Sequence, residues 1–261
     1  MSRGVGALLV LAGVTACGRD AGRTVRVYDP FEGPALSSVW ETSRLAPGSV
    51  VIESQVVRAG RSAARIVLRP RDTFEAAAPG DVASERDELL EAQPLVSRQD
   101  VTYEYAFSLF LPSDFPIVRR RLVLAQWKQD CRGAHACSND APILALRYVG
   151  GILAITRTVE GRRDTLFTTR DEMRGRWTDL RFRLRFAHGA QGRVQAWLDG
   201  RQVVDVAGVT ANAENDLTGY RAPGRFYFKM GLYRDLLPFP ETLYVDEYRK
   251  TQLPDSASPP R

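Results

Sequence analysis

Three short segments of this sequence carry side chains that could hold an anion and move a proton. The first runs Arg225-Phe226-Tyr227-Phe228-Lys229-Met230-Gly231-Leu232-Tyr233-Arg234. Strand periodicity sends Phe226, Phe228, Met230 and Leu232 to one face and Tyr227, Lys229, Gly231 and Tyr233 to the other. Gly231 leaves a gap between Lys229 and Tyr233 in which a ligand could approach the backbone. In the second segment, Leu122 to Gln129, Gln126 and Lys128 share a face. In the third, Ser84 to Leu89, Arg86 and Glu88 do the same. Arg, Lys and Gln all donate hydrogen bonds to an anion, and a phenol can give or take a proton. Only three of the 36 basic residues are lysine (Lys128, Lys229 and Lys250), and two of those fall in these segments.

The elements that must position these side chains read as strands. Ser62 to Arg69 puts Ile66 and Leu68 on one face. Thr102 to Leu111 aligns Tyr103, Tyr105, Phe107 and Leu109. Leu180 to Phe186 alternates Leu180, Phe182, Leu184 and Phe186 with Arg181, Arg183 and Arg185. Val194 to Leu198 meets the hairpin dipeptide Asp199-Gly200 and returns through Gln202 to Val206. Leu144 to Tyr148, Leu153 to Thr158 and Thr242 to Arg249 complete the set, and Arg170 to Gly175 offers at most one helical turn. So many antiparallel strands in one stretch predict an all-β fold, a two-sheet antiparallel β-sandwich of the jelly-roll, concanavalin-like kind. The Arg181, Arg183, Arg185 row fits a solvated outer face better than a polyanion site, and such a row discourages edge pairing.

Arg-x-Glu, then Gln-x-(His or Lys), then Tyr-Phe-Lys-x-Gly-x-Tyr, in this order on a jelly roll, resembles the polysaccharide lyases of the heparin lyase I, glucuronan lyase and alginate lyase type. Trp177-Thr178-Asp179, Gly192 to Gly200 and Tyr244-Val245-Asp246-Glu247 add to the likeness, which spans about Val27 to Leu253. The resemblance implies β-elimination across a uronic acid, with no cofactor required. Arg86, Gln126, Lys128 and Lys229 would neutralise the C6 carboxylate, where charge develops. Tyr233 would be the main proton-transfer residue, and nearby Arg86, Lys229 or Arg234 would favour its phenolate form. Glu88 would orient Arg86. Trp127, Tyr227, Arg234 and His135 would complete the substrate-binding surface. The chain departs from the pattern at Lys128, where heparin lyase I relatives usually have His. Of its two histidines, His188 reads as surface, and His135 could lean over the cleft.

Two other functions compete. A non-catalytic lectin-like domain on the same fold would rely on aromatic platforms such as Trp127 and Tyr148. A glycoside hydrolase would need paired carboxylates facing one cleft, and Glu85, Asp87 and Glu88 do not have the strand spacing for that.

The ends of the chain bear on address. Residues 1–16 carry Arg3 followed by an apolar run from Val5, too short to span a bilayer and matched to a secretory signal. Val14-Thr15-Ala16-Cys17 resembles the bacterial lipobox, which implies acylation at Cys17 and an extracytoplasmic, membrane-anchored protein. Residues 17–24 then form a linker, 25–253 the domain and 254–261 a disordered tail. Cys131 and Cys137 are expected to pair in an oxidising compartment, with a metal site of Cys131, His135 and Cys137 as the rival. Structural calcium at Asp246 with Asp29 or Glu32 is a further expectation. A formal net charge of +5 favours anionic partners. For an anchored extracytoplasmic chain these are acidic polysaccharides rather than nucleic acid, bound by a monomer.

Overall fold

A computed structural model describes residues 25–43, 45–72, 84–130, 136–137, 141–170, 173–215 and 224–254. The expectations for the signal segment 1–16, Cys17, the Cys131–Cys137 pairing, His135 and the tail beyond 254 lie outside the described residues. The strands in the first half are β1 (Arg26–Asp29), β2 (Trp40–Glu41), β3 (Val50–Glu53), β4 (Ala63–Leu68), β5 (Ser84–Glu91), β6 (Ser97–Arg98), β7 (Thr102–Phe110), β8 (Leu122–Gln129) and β9 (Ala136–Cys137). Those in the second half are β10 (Leu144–Val149), β11 (Ile152–Val159), β12 (Arg162–Thr169), β13 (Trp177–Arg185), β14 (Arg193–Leu198), β15 (Arg201–Ala207), β16 (Glu214–Asn215), β17 (Arg225–Asp235) and β18 (Glu241–Gln252).

Two large antiparallel sheets result, beside a two-stranded ribbon of β9 and β16. One is ordered β15-β14-β13-β7-β18-β4-β3 with β1 on β18, and the other β12-β11-β10-β8-β17-β5-β2 with β6 on β17. The predicted all-β sandwich is therefore the observed fold. Among the described residues there is no α-helix, only a short 3-10 turn at Gln93–Leu95. The helical turn expected over 170–175 is not formed where it is described: Arg174 bridges Leu111 instead. The hairpin between β14 and β15 turns on Asp199 and Gly200, both left-handed (φ 48° and 79°), the geometry that favours Asp-Gly there.

The inner faces meet in an aromatic core. Trp127 packs 4.6 Å from Phe182 and 4.8 Å from Phe228, and Tyr105 lies 5.3 Å from Phe228. Such pairs add about 0.5–1.5 kcal/mol each beyond area burial. This corrects the assignment of Trp127 to substrate binding: it is 0% exposed, because the alternation that turns Gln126 and Lys128 outward turns Trp127 inward. Tyr148, the second aromatic platform of the lectin reading, is buried beside Phe115.

Arg234 is corrected by the same parity. It follows Phe226, Phe228, Met230 and Leu232 into the interior, fully buried, 2.7 Å from Glu85 and 3.1 Å from Glu241. Lys250 is likewise enclosed, 2.9 Å from Glu91, whose other oxygen accepts from Tyr248. Removing either partner of such a pair would strand a buried charge, at a cost of about 3–5 kcal/mol. The arginine row of β13 lies on the outer face of the other sheet. There Arg183 pairs with Glu104 at 2.9 Å and Arg181 stacks on Trp197 at 4.0 Å.

Asp29, Glu32 and Asp246 each serve a loop. Asp29 accepts from the Phe31 amide, Ser37 and the Trp40 indole; Glu32 from the Arg61 and Ser62 amides; Asp246 from those of Arg58 and Ala59. Among the described residues no three His, Cys, Asp or Glu side chains gather as a metal site. Among the described residues the calcium expectation therefore finds no ligand cluster, its carboxylates accepting from loop amides, a hydroxyl and an indole.

Candidate active site

The outward face of the second sheet forms a cleft of about 540 Å³. Its centre is β17, hydrogen-bonded to β8 on one side and β5 on the other. The register sets Tyr233 opposite Arg86, Gly231 opposite Glu88, Lys229 opposite Gln126 and Tyr227 opposite Lys128. Three segments far apart in sequence are thereby brought side by side, and Arg86, Gln126, Lys128, Lys229 and Tyr233 all line the one cleft.

Gly231 makes that packing feasible. Its φ is +145°, and a Cβ there would stand 2.3 Å from the Asp87 carbonyl oxygen and 2.8 Å from the Glu88 Cα. The β17–β8 ladder also shifts register between Met230 and Tyr233. Such an irregularity re-aims the side chain that follows it, here Tyr233.

Behind the cleft floor lies Glu88, 6% exposed. It accepts a short hydrogen bond from the Gln126 amide and stands 3.6 Å from the Lys229 ammonium. The expectation that Glu88 orients Arg86 is corrected: its carboxylate holds Gln126 and Lys229. The Lys229 ammonium also lies 5.7 Å from the Tyr227 ring centroid. One proton of the Gln126 amide is committed to Glu88, which leaves the other to donate elsewhere.

Two guanidiniums pack on the Tyr233 ring, Arg86 at 4.4 Å and Arg121 at 4.6 Å from its centroid. Arg121 is held by Asp235 at 2.9 Å, and its amide donates to the same carboxylate at 3.0 Å. Arg121 was not among the residues singled out in the sequence. Neither were Arg147 of β10 and Arg163 of β12, which also line the cleft. Burial, reinforced by the charges of Arg163 and Arg121, pulls the Arg147 guanidinium down to about 10. A usable signal was present for Arg147: it is the one charged residue in Leu-Ala-Leu-Arg-Tyr-Val, a strand otherwise apolar.

The cleft is thus lined by six cations, an amide and a phenol, and among the described residues no carboxylate lines it. Such a surface can neutralise more than one negative charge and place a proton donor–acceptor among them. His188 is exposed and sits in a loop after β13.

A family model described as polysaccharide lyase matches residues 31–249. No curated protein matches the chain significantly. Among solved structures, the endo-β-1,4-glucuronan lyase from the fungus Trichoderma reesei superposes with a TM-score of 0.64 at 17% identity, covering 82% of this chain and 91% of that one. A variant of the alginate lyase Aly36B in complex with an alginate trisaccharide gives 0.56 at 13%, covering 88% and 98%. The cellulose-induced protein Cip1 gives 0.56 at 13%, covering 86% and 96%.

Proposed function

Because the chain belongs to the polysaccharide lyase family over residues 31–249, we propose that it cleaves a uronic-acid-containing polysaccharide by β-elimination in the cleft of the second sheet. Gln126, Lys229, Lys128 and Arg86 neutralise the C6 carboxylate of the sugar whose C4–O4 bond breaks. Neutralisation stabilises the charge that develops as the C5 proton leaves. Tyr233 takes that proton, the C4–C5 double bond forms, and the O4 leaving group is protonated in turn. One proton is removed and one returned, so the reaction balances without a redox partner. Glu88 keeps Gln126 and Lys229 in place from beneath.

The cleft's composition carries this reading: cations, amide and phenol lie together with no lining carboxylate among the described residues. That composition speaks against a glycoside hydrolase, which needs two carboxyl groups across the bond. The burial of Trp127 and Tyr148 speaks against a lectin built on those rings. From the lipobox-like residues 14–17 we further propose that the enzyme works outside the cytoplasm, anchored through Cys17.

The test is incubation with a panel of polyuronates, following the ultraviolet absorbance of the conjugated 4,5-unsaturated product. Absorbance growing with the parent protein and abolished by Tyr233→Phe is the expected result. New reducing ends without absorbance would replace the lyase reading with a hydrolase.

A further inference from the structure

We propose that Arg147 and Arg163 form a second anion subsite, which holds the carboxylate of a sugar adjoining the one that is cleaved. The inference rests on the lyase reading and extends it from one acidic sugar to at least two.

The two arginines stand apart from their neighbours in how they are held. On the far face of β11 and β12, positive charge is cancelled: Arg157 and Arg162 both pair with Asp164, at 3.0 and 3.2 Å. On the cleft face, Arg147 donates through Nε to Thr156 at 3.0 Å, and Arg163 through Nε to Thr158 at 3.4 Å. Both threonines are buried, 5% and 4% exposed. Period-two alternation puts them on the same face of β11. A neutral hydroxyl thus fixes each guanidinium by its inner nitrogen and leaves the charge uncancelled. No carboxylate pairs with either arginine among the described residues. Arg147 is half-buried and Arg163 exposed at the rim; like charges gathered on one face repel, and an anion placed between them relieves the repulsion.

The register argues that this anion belongs to another sugar, although the Arg147 side chain reaches far enough to feel the charge of Tyr233. Tyr233 lies opposite Val123 on β8, and Val123 opposite Arg147 on β10. Arg147 is therefore two strands from Tyr233, roughly 10 Å at the usual strand spacing. A carboxylate bound beside Tyr233 by Gln126 and Lys229 does not also sit at the Thr156–Thr158 wall. A polymer crossing the strands from β5 and β17 toward β12 would present successive carboxylates to the two positions.

Calorimetric titration of a saturated uronate tetramer into Tyr233→Phe protein reads affinity without turnover. Adding Arg147→Gln or Arg163→Gln is expected to weaken binding about ten- to a hundredfold, the worth of one charge-assisted hydrogen bond. Arg163→Lys should recover part of the loss. In the active protein the same substitutions raise KM more than they lower kcat. Arg162→Gln, on the opposite face, serves as control and leaves both unchanged. A tetramer with all four carboxylates reduced to primary alcohols should bind more weakly and no longer distinguish the substituted from the unsubstituted proteins. If the tetramer binds and is cut, yet neither glutamine variant changes its affinity, the second subsite is refuted while the lyase reading stands. If no polyuronate binds or is cut, both fall.

Discussion

Gly231→Ala tests whether the close approach of β17 to β5 builds the site. The alanine Cβ would lie 2.3 Å from the Asp87 carbonyl oxygen, whereas ordinary contact begins near 3.4 Å. The two backbones must therefore part by about 1 Å, or the residue must leave its φ of +145°. A non-glycine residue in that region carries about 1–3 kcal/mol of strain, and overpacking adds about 1–3 kcal/mol. The total, about 2–6 kcal/mol, corresponds to a fall in melting temperature of roughly 5–20 °C for a domain of this size. The functional effect should outlast the loss of stability. Parting β17 from β5 moves Tyr233 against Arg86 and Lys229 against Glu88, and a misplacement of about 1 Å can cost a hundredfold in rate. Thermal melts and initial rates measured well below the lowered midpoint separate the two effects. A variant that melts within about 2 °C of the parent and keeps its full rate would refute the argument.

Two further perturbations address the floor beneath the site. Glu88→Gln keeps an acceptor for Gln126 but removes the buried carboxylate 3.6 Å from the Lys229 ammonium; urea unfolding should show a loss of about 3 kcal/mol, accompanied by a drop in kcat/KM. Asp87 points the opposite way on β5, where burial and then the charge of Asp72 raise its carboxyl to about 6, while its oxygen accepts from the Ala46 amide. A carboxyl raised on folding binds its proton more tightly in the native state, so its stabilising contribution is present below about pH 4 and is lost as pH rises through about 6. Asp87→Asn should therefore stabilise the protein at pH 7–8, on the order of 2 kcal/mol from the size of the shift, and be neutral at pH 4. Melting curves across that range check the sign, and a variant destabilised at pH 8 would contradict it.

The strands and the faces of β4, β7, β13 and β17 were legible because one side of each packs on a core, and a period of two then writes itself into the sequence. Lys229 and Tyr233 were legible for the same reason, as polar side chains on an otherwise alternating strand. The same rule read strictly would also have placed Trp127 and Arg234 inside. Both were assigned outward on chemical type, although their parity matched the core residues beside them. What sequence could not supply was register between distant segments. That Glu88 meets Gln126 and Lys229 depends on β17 lying between β8 and β5, and nothing local in any of the three specifies that order. Arg121, Arg147 and Arg163 escaped notice because arginine is common throughout this chain, and only pairing shows which arginines are neutralised.

The site's electrostatics follow from that distinction rather than from the formal charge of +5. Arg58, Arg176, Arg183, Arg193 and Arg249 each lie within 3.0 Å of a carboxylate on the outer surface, and Arg234 and Lys250 are neutralised in the core. Such pairs contribute little to the field at a distance. In the cleft Glu88 pairs with Lys229 and Asp235 with Arg121, but Arg147 and Arg163 differ in being held by hydroxyls. Positive potential is thereby concentrated in a concave wall of low-dielectric surroundings, where field lines focus and an approaching anion is drawn in. A polyanion would be captured by the wall of β10 to β12 and delivered to the amide, ammonium and phenol on β8 and β17. On this view the positive field that a polyanion would meet is set by which described arginines lack a carboxylate partner on the cleft face, Arg147 and Arg163 among them.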